Sequence, residues 1–223
     1  MSDLALAIFD VDGTLVDSQA HIVAAWEAAF RAQGLAPPPR SAVLAIVGLT
    51  LETGVTHIAP PGADMRALCA DYRRAYAAAR EARGAAATSP LYPGIRALLD
   101  RLALREDLLL AVATGKSRRG LAALVAAHGL EGVFVSAQTA DDHPSKPHPS
   151  MILAALAESG VEATRAVMIG DTTFDTDMGR AAGVGTIGVT WGYPALTGAD
   201  ADHLVRDTRG LEAAIHETLG EFA

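Results

Sequence analysis

The chain has 223 residues, half of them apolar and 20% charged, which is material for one core domain and a small accessory domain. A net charge of −8 and an aromatic share of 5% argue against a partner with a phosphate backbone or stacked bases, so no nucleic acid is expected. The single cysteine, Cys69, forms no internal disulfide, Met1-Ser2-Asp3-Leu4 is not the basic start of a signal peptide, and no run of about 18 apolar residues is present to span a bilayer, so the expectation is a cytoplasmic protein, away from any membrane, as a monomer or homodimer.

Residues 4–9 are wholly apolar and end at Asp10, the pattern of a strand buried on both faces of a parallel sheet. No strand pattern follows over 19–88. Ile22, Trp26 and Phe30 recur every four residues, Pro37-Pro38-Pro39 ends that unit, and Met65, Leu68, Cys69, Tyr72 and Tyr76 make a second helical stripe. Residues 84–90 read as a return linker. From there helices and strands alternate: helix 94–104, strand 108–113, helix 117–128, strand 133–136, helix 149–159, strand 166–169, helix 176–182, strand 186–189. The expected fold is α/β, a doubly wound, Rossmann-like parallel sheet built from 1–18 and 89–223, with an all-helical cap domain, 19–88, inserted over the carboxyl ends of the strands.

The polar clusters fall where such a sheet binds ligands. Asp10 and Asp12 follow the first strand, Thr114-Gly115-Lys116-Ser117 the second, and Gly170-Asp171-Thr172-Thr173-Phe174-Asp175 the fourth, while Ser145-Lys146-Pro147 precedes a helix. In a parallel sheet all four meet at one edge. Crowded carboxylates resist joint ionisation, and a magnesium ion with its taste for oxygen removes that penalty. A lysine, a hydroxyl and helix amino-termini then suit a phosphoryl group.

On these residues the sequence resembles the haloacid dehalogenase-like hydrolase superfamily, in the branch with a helical cap between its first two motifs that includes phosphoglycolate phosphatases. Asp10-Val11-Asp12-Gly13-Thr14, Ala113-Thr114-Gly115-Lys116, Lys146-Pro147 and Gly170-Asp171 with Asp175 stand in family order over essentially the whole chain. The resemblance implies a magnesium-dependent phosphatase. Asp10 would be the nucleophile that becomes an aspartyl phosphate, and Asp12 the general acid and base. Thr114 and Gly115 would hold phosphoryl oxygens, and Lys146 would neutralise them and orient Asp10. Asp10, Asp171 and the Asp12 carbonyl would bind the ion, with Asp175 as a ligand or support. Asp12 also separates this chain from the dehalogenase branch, which lacks an aspartate there. The implied substrate is a small phosphorylated metabolite such as phosphoglycolate. The rivals are a phosphomutase of the β-phosphoglucomutase type, an inorganic pyrophosphatase, and a non-catalytic binding module on the same fold.

Plainer readings stand beside these. Asp10, Asp12 and Asp175 have the types that cap helices and turns, with Asp177 close to Asp175; Thr114 is a helix-capping type too. Gly48, Leu49, Thr50 and Glu52 are candidates to face the leaving group or simply to join two helices. Arg118 and Arg119 reach a second anion or are solvated. His143 and His148 are read as surface loop residues and Cys69 as core. Gly183-Val184-Gly185-Thr186-Ile187-Gly188 fits a dinucleotide fingerprint but follows a helix and enters a strand, the reverse of the required order.

Overall fold

The computed structural model describes residues 4–193, 196–198 and 200–220. Six strands form one parallel sheet: β1 (Ala5–Phe9), β2 (Leu108–Thr114), β3 (Ser136–Thr139), β4 (Ala166–Gly170), β5 (Gly185–Val189) and β6 (His203–Val205), in the order β3-β2-β1-β4-β5-β6. The strand order reverses beside β1, which pairs Phe9 with Val112 of β2 on one side and with Ile169 of β4 on the other. That reversal opens a crevice at the carboxyl end of β1, where Asp10 stands.

β1 alternates between two cores. Ala5, Ala7 and Phe9 face one apolar layer, supplied by α6 (Ile95–Leu102), α7 (Arg118–His128) and α10 (Thr208–Leu219). Leu6 and Ile8 face the other, supplied by α8 (Ser150–Ser159) and α9 (Thr173–Ala182). A strand that buries side chains on both faces must be apolar at every position, which explains the run ahead of Asp10.

Between β1 and α6 the named elements among the described residues are all helices: α1 (Gln19–Ala32), α2 (Arg40–Leu44), α3 (Leu51–Ile58), α4 (Met65–Arg83) and α5 (Ala85–Thr88). They pack around Trp26, Phe30, Val43, Val55 and Leu68, a third apolar cluster. The two chain crossings to this layer run side by side, with Val16 bridged to Leu91 and the Asp17 amide donating to the Pro90 carbonyl.

Several boundaries differ from the sequence-based expectation. The third strand lies three residues later, at Ser136–Thr139: Val133 closes a turn onto Leu130, and Val133 and Phe134 pack on the core as loop. α9 starts at Thr173 because Thr172 and Asp175 cap each other's backbone there. The return linker contains α5. β6 and α10 were not anticipated; β6 is three residues long, and α10 carries its own buried stripe of Leu211, Ile215 and Leu219. The glycine-rich segment is the end of α9, with Gly183 left-handed at φ 76°, running into β5. No helix among the described residues is long and apolar enough to cross a membrane.

Candidate active site

Asp10 leaves β1 fully buried. Lys146, itself buried, donates to Asp10 Oδ1 at 2.6 Å and to Asp175 Oδ1 at 2.6 Å. The second oxygen of Asp175 accepts from the Thr172 amide at 3.1 Å and its hydroxyl at 2.7 Å. Asp175 therefore caps α9 and faces Lys146 at once, whereas Asp177 points to solvent and pairs with Arg180. Asp171 accepts from the Thr14 hydroxyl at 3.2 Å and the Tyr193 amide at 2.8 Å. Gly13 makes this approach possible: its φ of 90° favours glycine, and a Cβ there would run into the Asp171 carboxylate.

Asp10, Asp171 and Asp175 each offer an oxygen within 4.8 Å of the others. One ammonium against three buried carboxylates leaves excess negative charge. Burial pushes Asp10 up to about 7, Lys146 pulling the other way and Asp175 adding to the rise. Burial likewise raises Asp171 well above the carboxylate range, helped by Asp175 and Asp10. Asp10 Oδ2 is buried with no hydrogen-bond partner among the described residues. An orphaned oxygen amid surplus carboxylate charge fits a hard divalent cation such as magnesium.

Asp12 sits apart from that trio. It pairs with Lys116 Nζ at 2.8 Å and accepts a hydrogen bond from the Ser18 hydroxyl. Burial works against a charged Lys116, but Asp12 and Tyr76 outweigh it and hold the ammonium above its usual pKa. Lys116 also donates to the Tyr76 hydroxyl at 3.0 Å, so one side chain ties Asp12 to α4. Ser18, Tyr193 and Trp191 close the same wall: the Ser18 amide donates to the Tyr193 hydroxyl at 3.0 Å, and the Trp191 indole to the Thr14 carbonyl at 3.1 Å.

A cavity of about 300 Å³ opens over Asp10 and Asp12, between the helical layer and the strand ends. Gly48, Leu49, Thr50, Glu52 and Gly115 line it. The Thr50 hydroxyl caps α3 by accepting from the Thr53 amide, and its own amide donates to Ser145 at 3.0 Å. Gly115 lies so close to the helical layer that a Cβ would stand 2.8 Å from the Gly48 and Leu49 carbonyl oxygens. Thr114, also buried, accepts from the Lys116 amide at 3.2 Å and is not among the residues that line the cavity. Arg119 lines the cavity, whereas Arg118 pairs with Asp142. His143 bonds Ser150 and Gln138, and His148 accepts from the Ser150 amide, away from the cavity. Cys69 is buried.

Sequence reasoning assigned Lys116, Thr14, Ser18 and Tyr193 no role at the site, and placed Tyr76 only in a helical stripe. Lys116 lay inside a quoted motif, but its partner is more than a hundred positions away in the chain, and no periodicity encodes such a pairing.

The profile of the haloacid dehalogenase-like hydrolases matches residues 7–189. A probable phosphatase of Dickeya dadantii, IndB, is 39% identical over 191 residues, 84% of this chain and 81% of that protein. A phosphoglycolate phosphatase of Agrobacterium fabrum is 31% identical over 223 residues, 96% of this chain and 93% of that one. A haloacid dehalogenase-like hydrolase of known structure from Streptococcus pneumoniae shares the fold with a TM-score of 0.81 at 24% identity, over 96% of this chain and 99% of that one. The chain belongs to the haloacid dehalogenase-like hydrolase family and is one of its phosphatases.

Proposed function

We propose that this phosphatase is magnesium-dependent and hydrolyses a small phosphorylated metabolite through an aspartyl phosphate on Asp10. The observation that carries the reading is the buried Asp10–Lys146–Asp175 chain beside Asp171, with one Asp10 oxygen unpartnered. Asp10, Asp171 and Asp175, with the Asp12 carbonyl, are the proposed holders of the ion, which when bound supplies positive charge to the phosphoryl oxygens.

In the first half-reaction a carboxylate oxygen of Asp10 bonds to phosphorus and the ester P–O bond breaks. Protonated Asp12 gives its proton to the leaving oxygen. In the second, water bonds to phosphorus, Asp12 takes its proton, and the Asp10–phosphorus linkage breaks to release inorganic phosphate. Lys146 fixes the Asp10 rotamer and neutralises phosphoryl oxygens, which Thr114 and Gly115 also hold. Lys116 and Ser18 orient Asp12 for both transfers. Residues 19–88 act as a cap that excludes water, with Gly48 and Thr50 facing the leaving group.

Phosphoglycolate is the reference substrate, since a relative of that name aligns with 96% of the chain. A lone buried Cys69 fits a reducing cytoplasm, where the enzyme acts as a monomer or homodimer. The test is phosphate release from a panel of phosphorylated metabolites with and without magnesium. Wild-type release should require the ion, and Asp10→Asn should abolish it while the melting temperature is kept. Turnover of Asp10→Asn at the wild-type rate would sink the assignment.

A further inference from the structure

We propose that the leaving group is a ring-bearing alcohol seated against the Tyr72–Tyr76 wall of the cavity, which buried Trp26 backs, and that a two-carbon acid is the poorer substrate; this rests on the phosphatase reading above and specifies its substrate class.

The chain is poor in aromatics, at 5%, yet three line this one cavity. Trp26 and Tyr72 lie 4.5 Å apart by ring centroid, and Tyr72 and Tyr76 5.7 Å. Tyr76 is stacked on His21 at 3.7 Å, with Lys116 Nζ 5.4 Å from its ring. Each ring is braced by the next, so the wall is set before a ligand arrives. Ile22, Val47 and Leu49 add apolar surface. The cavity, about 300 Å³, reaches the lower end of the range for small-molecule sites, roughly 300–1,000 Å³, and it opens directly on Asp10 and Asp12. A ring fills that apolar surface, and a two-carbon acid leaves it to water.

The polar groups agree. A carboxylate next to the ester would lie beside Asp10 and Asp12. The two lysines there are committed: Lys146 to Asp10 and Asp175, Lys116 to Asp12 and Tyr76. Half-buried Arg80, one helical turn beyond Tyr76, and exposed Arg119 give the lining a charged end that can donate to ring hydroxyls or to an anion carried on the ring.

The experiment compares kcat/KM, with magnesium, for phosphoglycolate and three ring esters: benzyl phosphate, ribose 5-phosphate and uridine 5′-monophosphate. At least one ring ester should exceed phosphoglycolate by roughly tenfold or more, and Tyr72→Leu should erase most of that ratio, while Tyr72→Phe keeps it. If Tyr72→Leu does not fold, inhibition of the wild type decides: benzylphosphonate should bind roughly tenfold tighter than phosphonoacetate. Preference for phosphoglycolate over all three ring esters, a ratio untouched in folded Tyr72→Leu, or tighter binding of phosphonoacetate overturns the proposal and leaves the phosphatase reading standing. Failure to cleave any phosphoester overturns both.

Discussion

Lys146 holds Asp10 and Asp175 with one ammonium, and the remaining carboxylate charge sets how stability depends on pH. Asp10 is raised to about 7 when folded, chiefly by burial, against about 3.9 in an unfolded chain. Between those values the folded protein keeps a proton that the unfolded one has lost, so stability must fall as pH rises through that window. Asp171 is raised in the same direction. In EDTA the melting temperature should therefore drop from pH 5 to pH 8, by about 2–4 °C for each kcal/mol involved. Magnesium should restore more at pH 8 than at pH 5, because the ion takes the place of the protons; equal pH slopes with and without magnesium would contradict this. Asp12→Asn should lower kcat by roughly 10²–10⁴, the usual worth of a positioned acid–base group. Lys116→Met should lower kcat by about tenfold through a misaligned Asp12, with Tyr76→Phe costing less, as steady-state kinetics can check. The meeting of Asp10, Asp171 and Lys146 was legible because their motifs stand in order after strands and before a helix, whereas each residue alone reads as readily as a cap or a solvated loop residue. Lys116 was not, because its meaning depends on Asp12 and Tyr76 arriving from other elements.

The loops between elements make the second layer of the account. Gly115 admits the Gly48 and Leu49 carbonyl oxygens at a distance that a Cβ would violate. Gly115→Ala should force the helical layer back from β2 and raise KM severalfold, with a smaller loss of thermal stability, since the clash involves a surface-to-surface approach and no buried core. An unchanged KM would mean that this approach is irrelevant to binding. Asp175 shows why a capping residue and a site residue can share one position: one carboxylate oxygen takes the Thr172 capping bonds and the other faces Lys146. That dual use hid the start of α9, since the cap lies inside the motif and the apolar periodicity begins only later. The third strand misled for a related reason. Val133 and Phe134 are apolar because they pack on the core from a loop, while the paired residues, Ser136 to Thr139, are mostly polar and form the edge strand of the sheet.

Across the whole molecule, β1 is the reference from which the site is built. Its neighbours β2 and β4 deliver Thr114 and Asp171, the loop before α8 delivers Lys146, and the helical layer faces Asp10, Asp12 and Gly115 across the cavity. This arrangement was readable in the alternation of apolar runs and helical stripes, because a parallel sheet leaves few topologies open. β6 escaped because a three-residue strand carries no periodicity, and the aromatic wall escaped because Trp26 and Tyr72 read equally well as core. Removing magnesium should abolish activity while the protein stays folded at pH 5, a result that circular dichroism and a phosphate assay can show together. The central claim is that the phosphoryl group passes through Asp10. Rapid acid quench during turnover, followed by peptide mass mapping, should find a phosphoryl group on Asp10 in the wild type and none in Asp10→Asn. A first turnover that releases inorganic phosphate without any phosphorylated Asp10, or with the group on another residue, would contradict it.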